Sequence, residues 1–143
     1  MNDLQKARSI LESGNHTCVL CKGDAVYISD KSGIAPMVGF ISESVDLKGF
    51  SVADKIVGKA AAMLFTFAGI KSAYGEVMSR EGFEFLQANR IEVSYSVLTD
   101  KIINRTGTDI CPMEKTVKNI SSPDDAFSAI KETIKKLKEG KPL

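Results

Sequence analysis

The chain has 143 residues, 43% of them apolar and 26% charged, and a formal net charge of +1. That length suits one domain with its own core, and that composition excludes a disordered chain. The near-zero charge leaves no broad field for nucleic acid or a membrane surface, and the longest apolar stretch, 56–70, is interrupted by Lys59 and too short to span a bilayer.

Leu4, Ala7, Ile10 and Leu11 recur at helical spacing, and Gly14 is a natural stop. Residues 17–22 and 25–30 are short apolar runs joined by Gly23-Asp24, the two-residue turn of a hairpin. After Gly33, Pro36 suits the first turn of a helix with Met37, Phe40 and Ile41 on its apolar face, and Lys48-Gly49 turns the chain. Ser51-Val52-Ala53-Asp54 has the form of a capping box, so the pattern predicts a helix over 52–68, closed by Gly69. Residues 71–78 read as a strand, followed by Ser79 as the cap of a helix carrying Phe83 and Leu86. Up to residue 98, Ile91, Val93 and Tyr95 alternate with Glu92, Ser94 and Ser96, as in a half-buried strand. Residues 101–114, with Gly107 and Pro112, read as irregular. Ser122-Pro123 opens a last helix with Phe127, Ile130, Ile134 and Leu137 facing inward, and 139–143 form a frayed tail. Strands separated by helices imply parallel pairing, and the hairpin makes the sheet mixed. The expected fold is a single domain over 1–143, a three-layer α/β/α sandwich.

Charge and burial conflict most sharply on the predicted 52–68 helix. At about 100° per residue, Asp54, Lys55, Gly58 and Lys59 share an arc of roughly 140°, and apolar residues fill most of the rest. Lysines on the first turns of a buried helix need a partner or an opening to water. With the helix N-terminus they would suit a carboxylate or phosphate. The competing reading is that Asp54 only caps and the lysines reach solvent along their stems.

Residues 104–114 follow a strand, where α/β domains place their ligands. Here Arg105 could fork onto an anion, Cys111 could act as a nucleophile if Lys55 or Arg105 lowered its pKa, and Glu114 could act as a base. Against this, a cysteine beside a proline is more often a small buried hydrophobe. Cys18 and Cys21 lie in a predicted strand, where positions i and i+3 face opposite sides, and His16 is the one histidine, so neither a multi-histidine metal site nor a histidine triad can be assembled. The odd number of cysteines fits reduced thiols in a cytoplasm, and the polar N-terminus does not read as a signal peptide. Glycine-rich phosphate loops, a nucleophile elbow and an aromatic-basic sheet face for RNA are absent from the sequence.

Several stretches carry a resemblance. Gly33-Ile34-Ala35-Pro36, the long run Ala53-Asp54-Lys55-Ile56-Val57-Gly58-Lys59-Ala60-Ala61-Ala62, Val77-Met78-Ser79, Ile103-Asn104-Arg105 and Cys111-Pro112-Met113-Glu114 resemble domain of unknown function 1893, a prokaryotic family. The resemblance runs from the first helix through Glu114. It implies the cytidine deaminase-like superfamily, hence a mixed sheet between helical layers. Zinc deaminases carry H-x-E or C-x-E at the start of one helix and P-C-x-x-C at the start of the next. The corresponding places here hold Val52-Ala53-Asp54 and Met78-Ser79-Arg80-Glu81. Four-coordinate zinc cannot be built from them, so no metal or cofactor is expected.

The sequence therefore points to a metal-free, deaminase-like domain whose polar pocket takes a small anionic metabolite or nucleotide, with no reaction assigned. Asp54, Lys55 and Lys59 would line one side of it, Ser79 a second, and Asn104, Arg105, Cys111 and Glu114 the third. Candidate reactive groups are Asp54, Cys111 and Glu114. The alternative is a non-catalytic interaction or scaffold domain. No nucleic-acid or membrane partner is expected, and a homodimer is left open.

Overall fold

The computed structural model describes residues 1–103, 107 and 109–140. The chain runs α1 (Asp3–Ser13), β1 (Cys18–Lys22), β2 (Ala25–Ser29), α2 (Ala35–Ser42), β3 (Ser51–Val57), α3 (Lys59–Ala68), β4 (Ser72–Ser79), α4 (Arg80–Ala88), β5 (Glu92–Thr99), α5 (Pro112–Val117) and α6 (Pro123–Lys138). One five-stranded sheet has the order β2-β1-β3-β4-β5. The hairpin strands and the β1–β3 pair are antiparallel, and β3, β4 and β5 are parallel.

The two steps from β3 to β4 and from β4 to β5 move the same way across the sheet. Right-handed crossovers therefore carry α3 and α4 to one face. There Val52, Ala73 and Met78 meet the all-apolar run Ala60 to Phe65 of α3, with α5 and α6 packed outside it. A helix apolar all round must be covered all round. Phe67 of α3 stacks on Phe127 of α6, with ring centres 5.1 Å apart. The opposite face is covered by α1, whose Ala7 and Leu11 pack on Val19, Cys21, Ala53 and Tyr74. Arg8 lays its guanidinium 4.4 Å from the centre of the Tyr74 ring. Cys18 and Cys21 contribute to opposite faces, as strand alternation requires.

The helix predicted over 52–68 is a strand and a helix. Residues 51–57 form the central strand β3, and α3 starts only after Gly58, whose backbone is extended at φ −100°. Pairing on both edges and burial on both faces override the capping pattern, and a short apolar run of this kind carries no period that separates strand from helix. The β-branched Val52, Ile56 and Val57 favour the pleated form. Gly69, left-handed at φ 79°, closes α3 as expected. Within 101–114, expected to be irregular throughout, residues 112–117 form the short helix α5, entered through Pro112 at its first turn. Leu137, expected to face inward on α6, is exposed.

On β3, Asp54 is buried opposite Cys18. Burial lifts its carboxyl to about 7, against weaker downward pulls from hydrogen bonds with the Ile56 N–H, the Cys18 thiol and the Lys55 N–H. The Cys18 thiol is pushed well up by its own burial and then by the Asp54 charge. Between an unfolded pKa of about 4 and a folded pKa of about 7, the folded chain holds a proton the unfolded chain has lost. The stability from the neutral form is thus complete below that window and lost as pH rises through it. Asp54→Asn should therefore gain roughly 2–3 kcal/mol relative to the native chain between pH 5 and pH 8 in urea unfolding. A pH-independent difference between the two chains contradicts a buried, protonated Asp54.

Candidate functional site

Both parallel crossovers are abrupt at the same end of the sheet. Gly58 alone separates β3 from α3, and Ser79 is at once the last residue of β4 and the cap of α4. Two helix N-termini therefore stand side by side where β5 also ends. Their closeness depends on glycine. A Cβ on Gly82 would lie 3.0 Å from the Gly58 carbonyl carbon and oxygen, which are backbone atoms with nowhere to go. Ser79 is buried, and its Oγ accepts the Gly82 N–H at 3.0 Å.

The α3 N-terminus has no cap from its own chain neighbours. Glu114 of α5 supplies one. Its Oε1 accepts the Lys59 N–H at 2.7 Å and its Oε2 the Ala60 N–H at 2.9 Å. Lys59 returns the interaction, donating from Nζ to the carbonyls of Val117 (3.0 Å) and Lys118 (3.2 Å) at the end of α5. Each helix end thus receives a charge of the sign its dipole favours. Burial raises the Glu114 pKa most. The two N–H bonds oppose that, Glu81 raises it further, and the Lys59 charge lowers it. Gly58 is what admits the carboxylate, since a Cβ there would sit 2.1 Å from Glu114 Oε1.

Beside this junction opens a cavity of about 510 Å³, bounded by Ser79 and Glu81 of α4, by residues 100–102 after β5, and by Ile110, Glu114, Lys115 and Lys118. Three carboxylates and three lysines line it. Two of the carboxylates are already paired, Asp100 with Arg80 at 2.7 Å and Glu114 with the α3 amides. Lys115 bonds Asp109. Lys101 and Lys118 are exposed at the rim.

The structure brings Lys59, Ser79 and Glu114 together at this end of the sheet, where Lys59 and Glu114 meet in a helix-capping exchange. Cys111 is the half-buried cap residue of α5, and its N–H donates to the Ile102 carbonyl at 2.9 Å. Asp54 and Lys55 lie on β3 and not on a helical turn, and neither lines this cavity; Lys55 is exposed. Asn104 and Arg105 lie outside the described residues. Glu81 was missed by the sequence reading, although a glutamate two residues after a cap serine faces the helix mouth. His16 is half-buried, with its Nδ1 2.9 Å from Asp30.

Zinc of the deaminase kind would need histidine or cysteine at the starts of two helices. With the boundary corrected, α3 starts Gly58-Lys59-Ala60 and α4 starts Ser79-Arg80-Glu81. Neither start offers a thiol or imidazole, and among the described residues no group of three or more His, Cys, Asp or Glu could hold a metal ion. This donor set does not fit zinc. Among the described residues, no helix is long and apolar enough to cross a membrane.

The family model described as domain of unknown function (DUF1893) matches residues 6–134. No curated protein sequence matches the chain. A crystal structure of a DUF1893 family protein from Thermotoga maritima is 25% identical, with a TM-score of 0.84, over 92% of this chain and 89% of that one. The dCMP deaminase of cyanophage S-TIM5 in apo form is 14% identical over 65% of this chain and 93% of that one; its TM-score of 0.44 is too low to carry an argument.

If Glu114 is the cap of α3, Gly58→Ala and Glu114→Ala remove the same bonds. Each alone should cost about 2–3 kcal/mol, the scale of hydrogen bonds to a charged group. In the Glu114→Ala background, Gly58→Ala should cost under ~1 kcal/mol in a double-mutant cycle on urea unfolding. Additive losses would separate Gly58 from the carboxylate.

Proposed function

Because the chain belongs to the DUF1893 family, we propose for it a metal-free binding domain whose cavity between α4, the end of β5 and α5 takes a small anionic metabolite or a nucleotide. The observation that carries this reading is the cavity itself, about 510 Å³ at the C-terminal ends of parallel strands, with the first turn of α4 at its edge. That volume suits one small ligand, and that end of an α/β sheet is where ligands collect.

The charge pattern narrows the ligand. The α3 amides are taken by Glu114, so an anionic group would sit at the α4 end, near Ser79, Lys101 and Lys118. Glu81 on the same wall calls for a donor on the ligand. A phosphate or carboxylate carried with amino or hydroxyl groups, as in a nucleotide, meets both demands. Asn104 and Arg105 belong to this proposal on sequence grounds. No reaction is assigned: neither Cys111 nor Asp54 lines the cavity, and Glu114, which does, is held by the α3 amides. One observation favours the scaffold reading instead: Lys59 and Glu114 serve each other as helix caps.

Thermal-shift titration with inorganic phosphate and nucleoside monophosphates separates the two. A ligand at about 100 times its Kd should add roughly 2.7 kcal/mol of stability. Lys118→Met should abolish the shift and leave the ligand-free melting point in place, because its side chain is exposed. If none of these ligands shifts the melting point, the binding reading fails.

A further inference from the structure

β5 is an edge of the sheet. Among the described residues it pairs with β4 on one side only. It is eight residues long and carries no charge from Val93 to Thr99. Natural edge strands are guarded by shortness, charge, proline or bulges. The other edge strand, β2, follows that rule: it has five residues and is bracketed by Lys22 and Asp24 before it and Asp30 and Lys31 after it. β5 is also bracketed by charge, Arg90 and Glu92 at its start and Asp100 and Lys101 at its end, but it is longer than β2, its run from Val93 to Thr99 is uncharged, and it exposes Tyr95 (41%) and Val97 (54%) on the strand.

The sequence of this edge is a palindrome, Val93-Ser94-Tyr95-Ser96-Val97. Antiparallel pairing of a strand with its own copy sets residues symmetric about a centre opposite one another. With Tyr95 at the centre, Tyr95 meets Tyr95, Val93 meets Val97 and Ser94 meets Ser96. The valines and tyrosine then lie on one face and the serines on the other. The folded chain already uses the faces that way: Tyr95 meets Phe83 of α4 edge to face, and Ser96 Oγ lies 2.6 Å from the Tyr74 hydroxyl on the α1 side. The same register sets Arg90, just before β5, against Asp100, just after it, at both ends of the pair.

We infer that the partner of this edge is a second copy of the chain, joined β5 to β5 about a two-fold axis through Tyr95 into one sheet that runs through both copies. Register is set by the matching valine and serine pairs and by Arg90 against Asp100, while Glu92 falls opposite Leu98. A one-residue slip would set valine against serine on both faces. Asp100 also lines the cavity, so Arg90 of the second copy would come to its rim. The interface stands apart from the ligand reading, since it needs no ligand.

Light scattering after size exclusion at ~100 µM should give twice the 15.5 kDa chain mass. Val97→Lys should raise the dimer Kd at least about tenfold, with an unchanged far-ultraviolet spectrum. In a Cys111→Ser background, Tyr95→Cys should give a disulfide-linked dimer on mild oxidation, because that residue faces itself across the axis. Ile28→Cys on β2 should not. A monomeric native chain overturns the inference, as does crosslinking through position 28 and not through position 95.

Discussion

The carboxylate of Glu114 on the first two amides of α3 is the interaction on which this end of the molecule depends. A buried helix cannot leave its N-terminal N–H groups unpaired, and the abrupt turn at Gly58 provides no side chain to pair them. The cap comes from more than fifty residues downstream, on a six-residue helix with little stability of its own. Lys59 fixes that short helix from the other direction by bonding its last carbonyls. The exchange ties α5 to α3 and so helps hold α6 over the layer beneath. It also explains Gly58, which makes room for the carboxylate; Gly82, on the neighbouring helix, makes room for the Gly58 carbonyl.

A helix N-terminus at this position is a natural seat for a ligand anion. Here the chain fills the one on α3 with its own. The open space is displaced sideways, to the neighbouring helix α4 and the end of β5, where lysines and carboxylates nearly balance. On the proposed reading, such a cavity takes a ligand bearing both an acceptor and a donor rather than a simple anion. The long edge strand β5 leads into the cavity, so this pocket and this sheet edge share the residues that follow β5.

Much of the frame was legible in the sequence. Gly23-Asp24, Pro36, Gly69 and Ser79 each act where their backbone or capping chemistry put them, and the mixed sheet followed from a hairpin succeeded by alternating elements. Strand β3 was not legible, because Ser51 and Asp54 imitate a helix start and a strand buried on both faces has no alternation to give it away. Gly58, read as a point on a helical arc, is the true boundary. That error carried Asp54 and Lys55 into the site. Ser79 was legible as a helix cap, whereas Lys59 was read within a longer helix and Glu114 within an irregular segment; that Lys59 and Glu114 serve each other depends on tertiary contact between segments far apart in sequence. Leu137 fits the apolar spacing of α6 yet is exposed, since periodicity gives a direction and not a partner.

Amide hydrogen exchange at Lys59 and Ala60 tests the central claim directly. First-turn amides normally exchange almost freely, because they lack intrahelical acceptors. If Glu114 caps α3, both amides are strongly protected in the native chain. In Glu114→Ala they then exchange at least about tenfold faster, while the amides of Met63 and Leu64 on the same helix keep most of their protection. Fast exchange at Lys59 and Ala60 in the native chain, or protection unchanged by Glu114→Ala, would contradict the account.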